Sequence, residues 1–237
     1  MIVQRSRGDN GHIPCVSNSL VFAPFRMTRE PIVPVILAAG SSAGLGFPRP
    51  LARFGRRTAL DIAIANCAGL EHPIVVLGCD AARVRRHVPR RAIVVVNRRW
   101  RSGQLSSLLS GLRRARPGAA LLLYPVDHPL LTRSIVSLLV RAYRARRAHQ
   151  SIVMPRYHSH PGHPVIFAPE IRPEFKAAKT AREVTYRDPA RIRHVTVSTA
   201  AVCTDFRTPE TYRTCLARYQ AARARRAALP QRRKMSV

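Results

Sequence analysis

Short runs of valine, isoleucine and leucine recur along this chain and constrain its fold more than any other feature. Most of them lack an alternation of apolar and polar residues, which is typical of strands covered on both faces. Helical patterns lie between the runs, so the order of elements predicts a three-layer α/β fold with a mostly parallel sheet. The predicted strands are residues 33–38, 73–77, 92–96, 120–126, 151–154, 164–168 and 194–198.

Apolar residues at helical spacing predict the helices between these strands. Thr58, with Asp61 three residues later, is typical of a capping box at the start of the first helix. Thr132 is placed to cap a later helix. Further helices are predicted over residues 105–112 and 210–229, the latter rich in arginine.

A glycine-rich loop follows the first predicted strand. Residues 35–49 read Val-Ile-Leu-Ala-Ala-Gly-Ser-Ser-Ala-Gly-Leu-Gly-Phe-Pro-Arg. Backbone amides beside small residues, together with the cation of Arg49, suit a polyphosphate. The glycine spacing differs from that of a P-loop and from the dinucleotide fingerprint. Two interpretations therefore remain, a nucleotide-binding turn or a strand-to-helix turn with no ligand.

The net charge of +29 is extreme, and only Lys176, Lys179 and Lys234 among the 41 basic residues are lysine. Such basicity is typical of proteins that bind polyanions. A genome-wide bias toward arginine explains it equally well, because the arginines do not gather in one block. Aromatic residues make up only 6% of the chain, which argues against a base-stacking platform. Nucleic acid is therefore a disfavoured partner that the charge does not exclude.

Cysteine content and hydropathy bear on the compartment. The five cysteines form no Cys-x-x-Cys pair and their number is odd, which favours a reduced, cytoplasmic protein over a disulfide framework. No apolar run approaches the 18 residues of a membrane-spanning helix, so no membrane partner is expected. The first 26 residues lack the apolar core of a secretion signal, and Met27 is an alternative start to Met1.

A carboxylate ends the fourth predicted strand, where Asp127 follows Leu-Leu-Leu-Tyr-Pro-Val. The carboxyl ends of parallel strands share one edge of the sheet, so Asp127 is expected on the same rim as the glycine-rich loop. A carboxylate there can hold Mg²⁺ against phosphate oxygens. The alternative is an aspartate that caps the next turn.

Two further polar segments are candidates for ligand contacts. Asn97, Gly103, Gln104 and Ser107 lie where the third strand passes into a helix, and their side chains suit either a base and ribose or ordinary N-terminal capping. Residues 157–164 contain three histidines within six positions. Two prolines restrict that segment and no cysteine lies near it, so a polar loop beside the pocket is favoured over a zinc site.

Taken together, these segments resemble the MobA-like NTP transferase family, and among its members the molybdenum-cofactor cytidylyltransferases. The family's Leu-Ala-Ala-Gly-x-Ser-x-Arg-x-Gly with Pro-Lys is similar to residues 37–49, and its Asn-x-x-Trp-x-x-Gly-Gln-x-x-Ser-Leu to residues 97–108. Its aspartate before a proline resembles Asp127 with Pro129. Its Gly-His-Pro-Val and Asp-x-Asp-Thr-Pro-Glu-x-Tyr resemble residues 162–165 and 205–212, so that all five blocks occur in the family's order.

The resemblance implies a Rossmann-like nucleotidyltransferase fold with a mixed, mostly parallel sheet. It implies transfer of CMP from CTP, favoured over GTP, to a phosphate-bearing acceptor such as molybdopterin, with Mg²⁺ as cofactor and release of pyrophosphate. A molybdoenzyme is a further implied partner. The implied NTP transferase domain covers residues 31–220, between a basic, disordered leader at 1–30 and a basic tail at 221–237.

The resemblance also implies roles for individual residues. Arg49 and Asp127 would be catalytic, with Asp127 and Asp205 as metal ligands. The acceptor would be bound by Gly162, His163 and Pro164. The implied nucleotide-binding residues are Leu37, Ala38, Ala39, Gly40, Ser41, Ser42, Gly44, Gly46, Gly103, Gln104 and Ser107.

Three positions depart from the family's motifs. Gly44 stands in place of the loop arginine, Arg49 in place of the lysine, and Arg207 in place of the second aspartate of the last block. An arginine fork does not reproduce the point charge of a lysine. These departures leave two alternatives open, namely transfer to another acceptor such as a sugar phosphate, or a catalytically weakened homologue that binds nucleotide or a partner.

Overall fold

The computed structural model describes residues 30–228, in which ten strands and seven α-helices follow one another. The strands are β1 (Ile32–Ala38), β2 (Arg53–Phe54), β3 (Arg57–Thr58), β4 (Ile74–Leu77), β5 (Ile93–Val96), β6 (Ala120–Pro125), β7 (Ile152–Tyr157), β8 (His160–Pro161), β9 (Val165–Phe167) and β10 (Ile192–Thr196). The helices are α1 (Ala59–Asn66), α2 (Ala81–Arg85), α3 (Gln104–Leu112), α4 (Arg133–Arg144), α5 (Glu174–Ala177), α6 (Ala181–Tyr186) and α7 (Pro209–Ala228).

Eight strands form one mixed sheet, in the order β10-β7-β9-β6-β1-β4-β5 with β8 added beside β7. The pairs β1–β4, β1–β6, β4–β5 and β10–β7 are parallel, whereas β9 runs antiparallel to both β6 and β7. The predicted mostly parallel sheet is therefore confirmed. The chain builds outward from β1 to β5 on one side and then returns to β6 on the other. This reversal leaves a crevice between the carboxyl ends of β1 and β6, which is where ligands bind in such sheets.

The central strand β1 is buried along its whole length and supplies side chains to both faces of the sheet. Ile32 and Ile36 pack in the apolar cluster that includes residues of α1, α4 and α7. Val33 and Val35 pack in the second cluster, with residues of α3, α5 and α6. A helix layer thus covers each face, which explains why the sequence of β1 is apolar without alternation.

Both predicted helix caps are confirmed. The Thr58 hydroxyl accepts from the amide of Asp61 at 3.0 Å, and the Asp61 carboxylate accepts from the amide of Thr58 at 2.8 Å, which completes the capping box of α1. At the start of α4, the Thr132 hydroxyl accepts from the amide of Ile135 at 3.4 Å. These bonds satisfy amides that the first helical turn leaves unpaired.

Some element boundaries differ from the sequence prediction. β10 covers Ile192–Thr196 rather than 194–198, because Ile192 is buried and pairs with Ile152. β7 extends to Tyr157, because its last two residues pair with β8. The short β2–β3 hairpin was not predicted, since two-residue strands leave no apolar run in the sequence.

Both ends of the chain extend beyond residues 30–228, which the structure describes. The alternative start at Met27 and nearly all of the predicted leader lie in residues 1–29, and the end of the predicted tail lies in residues 229–237, outside the described residues. α7 continues from Pro209 to Ala228, so the predicted boundary at residue 220 falls within a helix. No helix between residues 30 and 228 has both the length and the apolar composition needed to cross a membrane.

The packing of α3 on β1 yields a test of the fold. A Cβ atom at Gly111 would lie 2.6 Å from Cγ1 of Val35. We expect Gly111→Ala to lower the free energy of unfolding by about 1–3 kcal/mol, because a close-packed core resists an added methyl group. Urea unfolding measures the loss. In the double variant with Val35→Ala the loss should be smaller than the sum of the single losses, and simple additivity would contradict the contact.

Candidate functional site

A cavity of about 330 Å³ opens at the crevice between β1 and β6. Residues 37–41 form one wall at the end of β1, and residues 125–127 form the other at the end of β6. Its volume lies within the range of small-molecule sites. The remaining lining residues are Arg49, Pro50, Trp100, Arg101, Gly103, Gln104, Ser107 and Arg207.

Arg49 connects the glycine-rich loop to the end of β6. Its backbone amide donates to Oγ of Ser42 at 2.6 Å, and its Nη2 donates to the carbonyl oxygen of Ser41 at 2.9 Å. Its Nη1 lies 3.3 Å from Oδ2 of Asp127. Its Nε is buried and has no hydrogen-bond partner among residues 30–228. A buried donor of this kind is costly unless a partner satisfies it, and a phosphate oxygen in the cavity would do so.

Asp127 is buried, with 8% of its surface exposed, and both carboxylate oxygens have partners. Oδ2 faces Arg49, and Oδ1 lies 3.1 Å from Nδ1 of His128. Burial by itself would raise the pKa of the carboxyl group. The hydrogen bond with His128 and the positive charges of Arg49 and Arg207 outweigh burial, so the pKa of Asp127 is below its ordinary value. The group is therefore an anion at neutral pH.

The first turn of α3 forms a polar side of the same cavity. Gly103 precedes this helix, no side chain caps its first amides, and its first turn contains no acidic residue. The N-terminus of a helix attracts anions through these amides and the helix dipole. Buried Asn97 holds the turn in place, since its Nδ2 donates to the hydroxyls of Ser106 and Ser107 at 2.9 and 3.0 Å. Gln104, the first residue of α3, also lines the cavity.

A second cavity, of about 210 Å³, adjoins the first and shares Gln104, Pro125, Asp127 and Arg207 with it. Its other wall contains Gly162, which packs directly against the turn Ala200–Val202. A Cβ atom at this position would overlap the carbonyl oxygen of Val202, so only glycine allows the close approach. The remaining lining residues are His128, Pro161, His163, Val202, Cys203 and Asp205.

His163 presents a neutral imidazole to this second cavity. Its ring meets that of His128 edge-on, with the centroids 5.0 Å apart. Burial, and then the proximity of His128, lowers the pKa of His163 to about 4. Its Nδ1 is buried without a hydrogen-bond partner in the described part of the chain. The ring can therefore offer an uncharged hydrogen-bonding group to a ligand.

The structure brings most of the predicted site residues to these two cavities. The first is lined by Leu37, Ala38, Ala39, Gly40, Ser41, Arg49, Gly103, Gln104, Ser107 and Asp127. The second is lined by Gly162, His163 and Asp205, in addition to the shared residues.

Four predicted site residues line neither cavity. Ser42 instead accepts the amide hydrogen of Arg49 and so shapes the loop. Gly44 and Gly46 have φ values of 85° and 73°, a backbone conformation that favours glycine, and they form the turn itself. Pro164 is buried and follows His163 in the chain. In this structure the four residues help to build the loops around the cavities, and their contact with a ligand stays a prediction.

Sequence reasoning did not assign site roles to several lining residues. Trp100 and Arg101 lie within the predicted polar segment, between Asn97 and Gly103, which is the signal that could have identified them. Arg207 was noted only as a departure from the family motif. In the structure it lines both cavities, and its Nε lies 2.7 Å from Oδ2 of Asp205.

The donor groups at the site fit a hard divalent cation. Asp127 and Asp205 both line the second cavity, and carboxylate oxygens are the ligands that Mg²⁺ prefers. Within residues 30–228 no group of three His, Cys, Asp or Glu side chains could hold a metal ion. The three histidines of residues 158–163 thus do not assemble a zinc site, and a cation at Asp127 would take further ligands from phosphate and water.

The neutral state of His163 yields a prediction about pH. In the unfolded chain the pKa of His163 returns to about 6.5. Between pH 6.5 and 4 the imidazole is therefore protonated in the unfolded state and neutral in the folded state. We therefore expect the free energy of unfolding to fall as the pH decreases from 6.5 towards 4. His163→Gln should make this decrease shallower, as measured by urea unfolding across the range. Exposed His149→Gln is the matched control, and an identical slope for His163→Gln and the native chain would contradict the prediction.

Comparison with known proteins agrees with this geometry. Residues 34–197 match the MobA-like NTP transferase domain. Nicotine blue oxidoreductase of Paenarthrobacter nicotinovorans is 33% identical over 149 residues, which cover 59% of this chain and 72% of that protein.

Solved structures show the same fold. Rv0371c of Mycobacterium tuberculosis H37Rv is 26% identical, with a TM-score of 0.70 over 80% of this chain and 100% of that one. A structure of Rv0371c in complex with manganese has a TM-score of 0.66, with 26% identity over 79% of this chain and 98% of that one. A nucleotidyl transferase of Methanothermobacter thermautotroptrophicus, 17% identical, has a TM-score of 0.69 over 82% of this chain and 100% of that one, and it shows the fold alone. The chain belongs to the MobA-like NTP transferase family, and its Rossmann-like α/β fold is that of a nucleotidyltransferase.

Proposed function

We propose that this nucleotidyltransferase transfers CMP from CTP to a phosphate-bearing acceptor of the molybdopterin type and releases pyrophosphate. The observation that supports this most is the convergence of Arg49, Asp127 and the start of α3 on one cavity. These groups supply a cation, a site for a metal ion and a set of amides, which are what a triphosphate requires.

The reaction is a direct displacement. An oxygen of the acceptor phosphate attacks the α-phosphorus of CTP, and a new phosphorus–oxygen bond forms as the bond to the bridging oxygen breaks. Pyrophosphate leaves with the electron pair of the broken bond. Because no enzyme nucleophile is needed, the chain's task is to align the two phosphates and to stabilise their negative charge.

Each part of the site has a task in this proposal. The backbone of residues 38–41 and the guanidinium group of Arg49 hold the triphosphate, and Gln104 and Ser107 contact the base or ribose. The acceptor occupies the second cavity, where Gly162 lets the wall pack closely against Val202 and His163 offers a neutral hydrogen-bonding group. The two cavities share Asp127, so donor and acceptor phosphates meet at that residue.

Asp127, with Asp205 as a second ligand, would hold Mg²⁺. The ion, when bound, neutralises phosphate charge and polarises the phosphorus–oxygen bonds. Arg207 is paired with Asp205 and adds a positive charge where the family motif has an aspartate. We infer that Arg207 limits the affinity for a second metal ion and contacts phosphate instead. The four free cysteines among residues 30–228 support a reducing, cytoplasmic setting for this activity.

Removing the charge of Asp127 tests the proposed metal site. We expect Asp127→Asn to lower pyrophosphate release with CTP, Mg²⁺ and molybdopterin by about 100-fold or more, because the amide keeps the shape and loses the anion. The same variant should bind Mn²⁺ more weakly in the presence of CTP, as measured by electron paramagnetic resonance. Glu71→Gln is the matched control, since Glu71 is exposed and lines neither cavity. Unchanged turnover in Asp127→Asn would overturn the proposed role.

A thermal-shift panel tests the choice of nucleotide. A ligand that binds the native state raises Tm by mass action, by an amount that increases with affinity. We expect CTP with Mg²⁺ to raise Tm more than ATP, GTP or UTP, and Gln104→Ala to reduce the difference between the bases. A larger shift with GTP would contradict the proposed specificity.

Turnover assays separate a second reaction class. The oxidoreductase from Paenarthrobacter bears a name that denotes electron transfer, although it matches this chain over 149 residues. Oxidation of NADH or NADPH without any turnover of a triphosphate would support that class and exclude the transferase. A sugar phosphate that replaces molybdopterin as acceptor would keep the reaction and change only its substrate.

A further inference from the structure

The outer strand β5 presents an apolar edge at one end of the sheet. It ends the sheet and pairs with β4, and no other strand among residues 30–228 adjoins it. Ile93, Val94 and Val95 are half-buried, and Val96 is 44% exposed. The strand at the opposite end of the sheet, β10, differs because its exposed positions are polar, as at His194 and Thr196. Long apolar edges invite pairing with another strand, and proteins normally protect them.

The outward backbone groups of β5 can be assigned from its bonds to β4. The amide of Ile93 donates to the carbonyl of Pro73 at 2.9 Å, and that of Asn97 donates to the carbonyl of Leu77 at 2.8 Å. Successive residues of a strand point their backbone groups to opposite sides. The amide and carbonyl groups of Val94 and Val96 therefore point away from β4. These two residues offer a ladder of two donors and two acceptors to an added strand.

Pairs of arginines flank this edge on both sides. Arg90 and Arg91 precede β5, and Arg98 and Arg99 follow it. All four are exposed, and none forms an ion pair with a carboxylate in the described part of the chain. Two copies of this chain paired edge to edge would place each arginine pair beside another, which like-charge repulsion opposes. The same four charges attract acidic residues at both ends of an incoming strand.

The docking edge leads directly into the nucleotide cavity. β5 is followed by buried Asn97, which anchors the first turn of α3, and by Trp100 and Arg101, which line the cavity. A strand bound along β5 would therefore lie next to the segment that lines the cavity. RNA would contact the arginines but would leave the valine side chains and the backbone ladder unused, so these observations favour a peptide.

We propose that the free edge of β5 binds an extended segment of a partner protein by strand addition. The segment has three or four apolar, β-branched residues flanked on both sides by acidic residues. Backbone bonds to Val94 and Val96 supply the affinity, and the four arginines select the acidic ends. The partner is thereby held next to the segment that lines the cavity.

Fluorescence anisotropy with the full chain tests this proposal. The probe is a labelled peptide, Asp-Glu-Val-Thr-Val-Val-Glu-Asp. We expect saturable binding that weakens with salt, and a loss of about tenfold when alternate peptide amides are N-methylated, because the backbone bonds are then removed. The N-methylated probe alters only the ligand, so this comparison does not depend on the folding of a variant. Equal binding of both peptides, or no binding of either, would overturn the proposal.

Variants of the chain locate the site. Val96→Pro removes an outward amide and no bond to β4, so the fold is kept while peptide binding should fall about tenfold. Reversing the charges at Arg98 and Arg99 to glutamate should weaken binding similarly, whereas the matched change at exposed Arg141 and Arg144 of α4 should not.

Light scattering that shows a dimer lost in Val96→Pro would identify a second copy as the occupant instead. Displacement of the peptide by a 12-nucleotide RNA that binds Val96→Pro unchanged would identify RNA and overturn the proposal.

Discussion

The ion pair between Arg49 and Asp127 is the contact on which the active-site arrangement depends. It joins the loop after β1 to the end of β6, across the crevice where the strand order reverses. Under the proposed function, the same two groups are the cation and the anion that would hold a metal-bound triphosphate. In the structure Nη1 of Arg49 pairs with Oδ2 of Asp127, while Nε of Arg49 is left without a partner among residues 30–228. A ligand that brings both a cation and a phosphate would give each group a new partner.

Local physics explains why so much of the fold could be predicted from sequence. Strands covered on both faces must be apolar throughout, and this pattern located β1, β4, β5 and β6 almost to the residue. The capping box at Thr58 depends on residues three positions apart and is equally visible. The antiparallel direction of β9 depends on partners distant in the chain, so no local pattern encodes it. The β2–β3 hairpin is too short to have a pattern at all.

The site residues, like the strands, could be predicted where the signal is local in sequence and not where it depends on distant contacts. Residues in continuous motifs, such as those from Leu37 to Ser41, lie where the motif placed them. Gly44 and Gly46 line neither cavity, and their positive φ values show that the turn favours glycine at both positions. Arg207 lies about 80 positions from Asp127 in sequence, and it lines the same cavity because the amide of Phe206 donates to the carbonyl of Asp127 at 3.1 Å. The sequence shows that residue 207 is an arginine, but only the folded structure shows that its charge lies at the cavity.

The sharing of β1 between two apolar clusters has a consequence for motion. Because neighbouring residues of one strand anchor opposite helix layers, neither layer can slide over the sheet without disturbing the other. We therefore expect the strand ends that form the crevice to keep their separation when a ligand binds. Any adjustment to the size of a bound molecule must come from the loops beyond the strands, where Gly44 and Gly46 allow the backbone to rearrange.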